Sequence, residues 1–371
     1  MSNNLLKGKL VVCLEQAVAA PYCSVKLADA GARVIKIERN EGDFARYYDN
    51  FVKGNSTYFV WLNRGKESLV ANIKNSEDRD LLQKIISKAD IFIQNLLPGT
   101  LEKYNLDSKF LRKQNKKLIT CDISGYDQLG RKAKDKAYDL LIQAETGLCS
   151  LTGNESSPGR VGVSVCDISC GLNAYALILE ALIKRDITGK GSSIKISLFD
   201  SLSEWMNVPF LQYSYTKISP KRVGLSHPSI IPYGCFKTKD KVNILFSIQN
   251  EREWMLFDRS ILKLSNNLKK KYNSPSLRLK NKNILNSLIK ERFKKFNSNK
   301  ISQLLKNNKI AFGFLNDMKT FSKHEELKTS FVKTASSNIR FIPPVALKER
   351  KYFKKIPKLG EHSNKIKKEF S

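Results

Sequence analysis

The sequence predicts a two-domain α/β protein, and three observations carry that prediction. Strand-like and helix-like patterns alternate through residues 1–125, as they do in βαβ units. The amino-acid composition changes near residue 217, where Pro, Gly and Ser become frequent. The chain has 371 residues, which is enough for more than one hydrophobic core. We therefore expect a mostly parallel sheet domain and a smaller α+β domain.

The first third of the chain supplies the repeated βαβ pattern. Short apolar runs predict strands at 9–14 (KLVVCL), 33–38 (RVIKIE), 68–74 (SLVANIK), 90–95 (DIFIQN) and 117–124 (KLITCDIS). Helices are predicted at 21–31 and 77–89, and crossovers of this length give parallel strands. The first βα turn, residues 14–21, contains no glycine, so we do not expect an ordinary GxGxxG dinucleotide site.

The later segments continue the pattern and then change it. We predict a helix at 140–147, a short strand at 161–165 (VGVSV), a helix after Asp167, a strand at 193–200 and a helix from 201. Residues 219–234 have the composition of a linker or binding loop. A hairpin turn at 238–241, a strand at 242–249 and helices over 252–309 follow, and we expect a smaller domain at about 225–325.

Composition limits the function classes. The net charge is +30, but the lysines are spread along the chain together with Asn and Ile, so we expect attraction of a small polyanion and no nucleic-acid partner. No apolar run reaches the ~18–20 residues of a membrane span, and the N-terminus lacks an apolar signal core, which predicts a cytoplasmic protein. Seven cysteines without a CxxC motif indicate free thiols. Three separated histidines predict neither a metal site nor a Ser-His-Asp triad.

Polar side chains follow several of the predicted strands. Ligands of parallel sheets bind beyond the carboxyl ends of the strands. The candidates at or beyond those ends are Gln16, Arg39, Lys74 and Asn95, with Lys103 and Lys136 further along the chain. Each basic residue alone is ordinary surface, but several near equivalent strand ends predict a shared basic site.

Asp167 stands between small residues and an amphipathic helix. A lone Asp in this position is most often an N-cap that accepts hydrogen bonds from the first backbone N–H groups of the helix. The small residues that follow, Ser169, Cys170 and Gly171, also leave room for a ligand. The spacing alone therefore leaves both a capping role and a chemical role open.

Ten sequence words, in order and spacing, are similar to those of the class III (CaiB/BaiF-type) CoA-transferases, which include formyl-CoA transferase. The resemblance runs nearly from end to end. Its words are ADAGARVIKIE (28–38), LNRGKESL (62–69), ADIFIQNLLPG (89–99), ISGY (123–126), KAYDLLIQAETG (136–147), VGVSVCDISCG (161–171), TGKGSSIKISLFDS (188–201), HPSIIPYGCF (227–236), QNEREW (249–254) and LGEH (359–362).

The resemblance implies a fold and an assembly. It implies a Rossmann-like domain made from both chain ends, a small domain from the later middle, and two subunits interlocked as a homodimer. The corresponding bounds are 1–215 for the large domain, 216–330 for the linker and small domain, and 331–371 for the segment that returns to the large domain.

The resemblance also implies the activity and its residues. It implies transfer of CoA from an acyl-CoA to a small carboxylic acid, with no metal and no permanently bound cofactor, and it assigns the nucleophile to Asp167. The nucleotide contacts that it implies are Arg39, Lys74, Lys103 and Lys136. The positions along the CoA path are Gln16, Ala17, Val18, Ala71, Asn95 and Leu96, and the substrate pocket includes Tyr138, Tyr233 and Gly234. The words HPSIIPYG and QNEREW favour small dicarboxylates.

Two alternatives remain beside CoA transfer. The racemase branch of the family uses a His at the position of Tyr138, and tyrosine, with an ordinary pKa near 10, is a poor base at neutral pH. That substitution argues against a racemase. A non-catalytic CoA-binding protein would not need Asp167, so the presence of this residue argues against that alternative.

Overall fold

A computed structural model describes residues 4–335 and 337–371 of the chain. The chain forms two compact units. The first comprises Met1–Cys149, Arg160–Ser219 and Lys328–Ser371, and the second comprises Ser150–Gly159 and Pro220–Leu327. The predicted bounds assigned residues 150–159 to the large domain. They group with the second unit because they form a hairpin whose carbonyls at Asn154 and Glu155 accept hydrogen bonds from the Arg222 guanidinium, at 2.8 and 3.1 Å.

The elements up to residue 216 include the parallel sheet and its covering helices. The strands are β1 (Leu10–Leu14), β2 (Arg33–Glu38), β3 (Lys66–Val70), β4 (Ile91–Gln94), β5 (Ile119–Ser124), β6 (Gly153–Asn154), β7 (Ser157–Pro158) and β8 (Ser193–Ser197). The helices are α1 (Ala19–Asp29), α2 (Thr57–Leu62), α3 (Ser76–Ser87), α4 (Ser108–Gln114), α5 (Asp139–Glu145), α6 (Leu148–Leu151), α7 (Val165–Thr188), α8 (Leu198–Trp205) and α9 (Asn207–Thr216). Short 3₁₀ helices occupy Phe44–Tyr47 and Glu102–Tyr104.

The remaining elements are shorter. The strands are β9 (Tyr233–Lys237), β10 (Asn243–Ser247), β11 (Phe312–Phe314), β12 (Ser330–Lys333), β13 (Asn338–Phe341) and β14 (Tyr352–Phe353). The helices are α10 (Glu251–Phe257), α11 (Asn266–Lys271), α12 (Pro275–Lys280), α13 (Lys282–Phe293), α14 (Ser298–Asn307), α15 (Met318–Phe321) and α16 (Ser363–Phe370). A π-helical segment covers Asp258–Leu262, and a 3₁₀ helix covers Val345–Leu347.

The first unit contains a six-stranded parallel sheet with the order β3-β2-β1-β4-β5-β8. The central strands are apolar on both faces because helices cover both faces. Ile93 and Cys121 point to the α1 and α7 side, whereas Ile35 and Phe92 point to the α3 and α16 side. The predicted α/β fold with a parallel sheet is confirmed, and all carboxyl ends of its strands meet along one edge.

One strand ends earlier than predicted. The run 68–74 predicts a strand, but β3 stops at Val70. Asn72 starts a turn there, since its backbone N–H donates to Asp78 at 2.8 Å and its side chain accepts from the N–H of Lys74 at 3.0 Å. Lys74 therefore lies in a turn beyond the sheet edge and not on the strand.

The long helix α7 packs closely on α1. A Cβ at Gly171 would stand 2.6 Å from the carbonyl oxygen of Ala19, so only glycine permits this approach. Cys170 is fully buried, and the hydroxyl of Ser169 donates to the carbonyl of Ser201 at 3.0 Å. The expectation that these small residues face a ligand was wrong. They let α7 pack onto α1 and α8, and this packing fixes the start of α7 against the sheet edge.

By length and composition alone, α7 could also cross a membrane, which the sequence analysis did not anticipate. Its buried residues, including Ala174 and Ile178, belong to the same core as Cys23 and Leu27 of α1. The core helix of a globular domain has this same composition.

The second unit has its own antiparallel sheet, in the order β11-β10-β9. Its core is aromatic: the ring centroids of Phe236, Phe246 and Phe293 lie between 5.3 and 5.5 Å apart. The predicted turn at 238–241 does join two antiparallel strands, β9 and β10.

Candidate active site

Asp167 is the third residue of α7 and does not cap it. Ser164 is the N-cap residue, and its side chain makes no capping hydrogen bond. The cap comes from another helix: Asp139 Oδ1 accepts from the backbone N–H groups of Cys166 and Asp167 at 2.8 and 3.4 Å. The predicted capping role of Asp167 was therefore wrong. Among the described residues, none donates a hydrogen bond to the Asp167 carboxylate, which leaves both of its oxygens available.

Gln143 holds Asp139 in this capping position. Its side chain is fully buried, and Nε2 donates to Asp139 Oδ2 at 2.7 Å. The Oε1 atom of the same side chain accepts from the N–H of Val161 at 2.9 Å. One amide thus joins α5 to the segment that leads into α7. The predicted strand at 161–165 is not formed. The hydrogen bond from the N–H of Val161 to Gln143 holds this segment instead.

The environment of Asp167 disfavours its charged form. Burial, followed by the nearby carboxylate of Asp139, raises the pKa of Asp167 to about 7. A carboxyl group with this pKa is ionised in a substantial fraction at neutral pH, and it is less stabilised than an exposed carboxylate. It is therefore a stronger base and a more reactive nucleophile.

Asp167 opens into a cleft of about 670 Å³ within the first unit. The lining combines the carboxyl ends of strands with the start of α7. Predicted site residues in the lining are Gln16, Ala17, Val18, Asn95, Leu96, Lys136, Tyr138 and Asp167. We call this cavity the acyl cleft.

A second cleft of about 490 Å³ lies beyond the carboxyl ends of β2 and β3. Arg39, Ala71 and Lys74 line it, and their contact with CoA stays a prediction. Gln16 and Leu96 line both clefts, so the two cavities adjoin at these residues. We call this cavity the nucleotide cleft. Two adjoining cavities of this kind suit a long ligand with a charged end and a reactive end.

The side-chain amide of Asn95 holds the loop between the clefts by bonding both backbone groups of Gln16. Asn95 Oδ1 accepts from the N–H of Gln16 at 2.9 Å, and Asn95 Nδ2 donates to the carbonyl of Gln16 at 2.8 Å. Ala17 has a φ of 63°, a left-handed conformation that costs a non-glycine residue about 1 kcal/mol or more. Asp43 stabilises it by accepting from the N–H of Ala17 at 3.1 Å.

Beneath this loop lies a buried ionic cluster that the sequence did not reveal. Lys36 and Lys66 are buried, and their ammonium groups contact Asp43 at 2.8 Å and Glu15 at 2.7 Å, respectively. Burial opposes charge on Glu15, but the two lysines outweigh it and hold the pKa of Glu15 below its usual value. Since Asp43 also binds Ala17, this cluster fixes the shape of the first βα loop.

Aromatic side chains form part of the acyl cleft. Tyr48 contacts Tyr58 and Phe44, with ring centroids 5.4 and 5.6 Å apart, and all three residues line the cleft. Burial, with the charges of Asp43 and Asp167, raises the pKa of Tyr48. Its hydroxyl therefore keeps its proton at neutral pH and can donate a hydrogen bond. It lies close enough to Asp167 for the charge of that carboxylate to contribute to the raised pKa of Tyr48.

The predicted site residues do not all meet in these clefts. Lys103 is exposed on the 3₁₀ helix Glu102–Tyr104 and lines neither cleft. Tyr233 and Gly234 lie on β9 of the second unit, where the ring of Tyr233 stacks on His227 at 5.5 Å. The contribution of these three residues stays a prediction.

The sequence analysis missed several cleft residues, among them Phe44 and Tyr58. Tyr48 and Arg160 line the acyl cleft, and Asp139 lies beside Asp167 although 28 residues separate them. For Asp139 the sequence contained a signal, because the word KAYDLLIQAETG places it next to Tyr138, which was predicted as a site residue. Within the described residues, no group of three or more His, Cys, Asp or Glu side chains is placed to hold a metal ion.

Comparisons with known proteins agree with this architecture. The model of CoA-transferase family III matches residues 6–363. Succinyl-CoA:glutarate CoA-transferase of Mus musculus is 32% identical over 376 residues, which covers 98% of this chain and 86% of that protein. Acetyl-CoA:oxalate CoA-transferase of Acetobacter aceti is 37% identical over 237 residues, covering 63% of this chain and 61% of that protein.

A solved structure supports the same relationship. The crystal structure of a CAIB/BAIF family protein from Brucella suis superposes with a TM-score of 0.84, at 30% identity, and covers 99% of both chains. The family model spans nearly the whole sequence, and both units are included in the structural match. The chain therefore belongs to CoA-transferase family III.

Proposed function

We propose that this class III CoA-transferase moves CoA from an acyl-CoA to a small dicarboxylic acid, with Asp167 as the covalent nucleophile. The observation that carries the proposal is the Asp167 carboxylate itself. It has a pKa raised to about 7, has no hydrogen-bond donor among the described residues, and lines the acyl cleft next to the nucleotide cleft.

The transfer consists of four displacements at carbonyl carbons. Asp167 attacks the thioester of the donor, which forms a mixed anhydride and releases the CoA thiolate. The thiolate attacks the aspartyl carbonyl, which gives an enzyme-bound CoA thioester and frees the donor acid. The acceptor carboxylate attacks this thioester and forms a second anhydride with release of the thiolate. The thiolate then takes the acceptor acyl group, and the Asp167 carboxylate is regenerated.

The two clefts provide places for the two ends of CoA. Arg39 and Lys74 line the nucleotide cleft, where cationic side chains suit the phosphates of CoA. Gln16 and Leu96, which belong to both clefts, stand where the pantetheine arm would pass toward Asp167. Lys136 is exposed in the acyl cleft and is available to either the CoA or the acid.

Arg160 supports the choice of a dicarboxylate. It is exposed in the acyl cleft, and none of the described residues forms an ion pair with it. A dicarboxylic acid presents one carboxylate to the reaction and retains a second, which needs a cation in a partly desolvated cleft. The relatives named for glutarate and oxalate act on acids of this class.

The test is a panel of acyl-CoA donors against mono- and dicarboxylic acids, with the products identified by mass spectrometry. We expect exchange with dicarboxylates and none with Asp167→Asn. Arg160→Gln should raise KM for the dicarboxylate roughly tenfold or more, while Arg131→Gln, an exposed arginine outside the cleft lining, should not. Exchange that survives in Asp167→Asn contradicts the proposal.

We also propose that the chain is a cytoplasmic homodimer. Helix α9 exposes much of its apolar surface: Val208 is 67% exposed, Phe210 64% and Tyr215 86%. Apolar surface of this extent is typical of a protein interface, and in this family the expected partner is a second copy. Phe210→Glu should shift the mass measured by light scattering toward the monomer, whereas Val345→Glu, at another exposed site, should not.

The free cysteines support the proposed cytoplasmic location, because they suit a reducing compartment.

A further inference from the structure

The first unit has another cavity, of about 760 Å³, that the proposed reaction does not use. It lies between α4, the carboxyl half of β5, the amino end of β8 and the segment Leu97–Gly99. We call it the back cavity. No residue of the nucleotide cleft lines it, and from the acyl cleft it shares only Leu97 and Pro98.

The lining of the back cavity is strongly basic. Its cationic side chains are Lys109, Arg112, Lys113, Lys116, Lys190 and Lys195. Of its three acidic residues, Glu102, Asp107 and Asp122, two have their oxygens engaged by the protein. Asp107 caps α4 by accepting from the N–H groups of Lys109 and Phe110, both at 3.0 Å. Asp122 is 6% exposed and is bound by Ser108 and Gln94.

Lys195 and Arg112 line the back cavity and have N–H groups that no described residue accepts. Lys195 is the register partner of Asp122 on the edge strand β8, and it is exposed. Arg112 donates once, to the carbonyl of Gly191 at 3.0 Å, and its Nε is buried without a hydrogen-bond partner among the described residues. That Nε atom has no accessible surface, so the donors that an anionic ligand can reach are the Lys195 ammonium and the Arg112 Nη group that makes no hydrogen bond with the described residues.

We propose that the back cavity binds a small polyanion bearing phosphate or carboxylate groups, and that its occupancy changes the affinity for CoA. The size of the cavity suits a ligand with several charged groups, and its excess of cations excludes a cationic or purely apolar one.

A chain of hydrogen bonds joins the back cavity to the CoA path. Asp122 Oδ1 accepts from Gln94 Nε2 at 2.9 Å, and Gln94 Oε1 accepts from the N–H of Leu96 at 2.8 Å. Leu96 lines both the acyl and the nucleotide cleft. The charge of Lys195 favours the ionised form of Asp122, and an anion held by Lys195 offsets that charge. Asp122 then becomes a weaker acceptor for Gln94, which loosens the segment at Leu96. We therefore expect a bound anion to raise KM for the acyl-CoA donor.

Calorimetric titration of the full-length protein tests the binding. Pyrophosphate and citrate are the probes, and the protein is titrated both free and saturated with CoA, because the proposed coupling makes CoA weaken probe binding by the same factor that the probe weakens CoA binding. We expect at least one probe to bind, and Lys195→Glu or Lys113→Glu to weaken it roughly tenfold or more. Lys270→Glu makes the same charge change on an exposed lysine of the second unit and should leave the affinity unchanged.

The coupling is tested by kinetics with the same proteins. The bound probe should raise KM for the acyl-CoA donor at constant kcat in the parent protein and not in Lys195→Glu. Absence of binding by both probes, or equal binding in all three variants, overturns the site. Binding that leaves KM unchanged overturns the coupling. The calorimetric result does not depend on catalysis, so the site and the proposed function fail independently, whereas the kinetic coupling rests on the proposed function.

Discussion

Asp167→Asn is expected to stabilise the protein, with an effect that depends on pH. The pKa of Asp167 rises from 3.8 to about 7 on folding because burial and Asp139 disfavour the carboxylate. At about 1.4 kcal/mol per pH unit, this corresponds to an upper bound of about 4 kcal/mol. Asp167 is partly exposed to solvent, which screens the charge, so we expect about 1–2 kcal/mol.

The sign follows from proton linkage. Below pH 3.8 the group is neutral in both the folded and the unfolded state, and its replacement by Asn changes little. Between pH 3.8 and about 7 the unfolded state is ionised while the folded state still holds the proton, so the destabilisation by Asp167 grows with pH. Above pH 7 both states are ionised and the difference is constant. The variant should therefore gain most at pH 8 and least at pH 4.

Urea unfolding at pH 4, 6 and 8 measures this difference. Asp186→Asn is the matched control, since Asp186 is exposed on the same helix and its replacement should leave the free energy of unfolding nearly unchanged. The reasoning is refuted if Asp167→Asn is less stable than the parent at pH 8, or if its gain in stability is the same at all three pH values.

Three further predictions concern the site and its support. The rate of enzyme acylation should rise with pH through about 7 as Asp167 ionises, and Asp139→Asn should move that midpoint to lower pH, as stopped-flow measurements across pH would show. Asn95→Ala should raise KM for the acyl-CoA donor with little change in kcat, because it removes the hydrogen bonds to both the N–H and the carbonyl of Gln16. Lys36→Met should cost about 3–5 kcal/mol in urea unfolding, because it leaves buried carboxylates without their cation.

The positions of the parallel strands along the chain followed from local patterns, because buried strands and their connecting helices leave clear periodicities, whereas their order in the sheet was not predicted. β2 was predicted with its observed bounds. The end of β3 was not, because the side chain of Asn72 ends the strand through contacts with Lys74 and Asp78 that an apolar run cannot reveal.

The candidate site was predicted only in part, for a similar reason. Asp167 was found through a resemblance that includes its neighbours in sequence. Its partner Asp139 lies 28 residues away, and the cap that this residue supplies to α7 exists only after α5 has packed against it. Arg160 carries no local signal, and only the folded cleft shows that it faces the same space as Asp167.

Mass spectrometry of the acylated enzyme tests the central claim most directly. The protein is mixed with an acyl-CoA donor, such as succinyl-CoA, trapped with hydroxylamine or borohydride, and digested. We predict that the modification lies on the peptide containing Asp167 and is lost in Asp167→Asn. A modification at any other residue, or turnover without a covalent intermediate, would contradict the account.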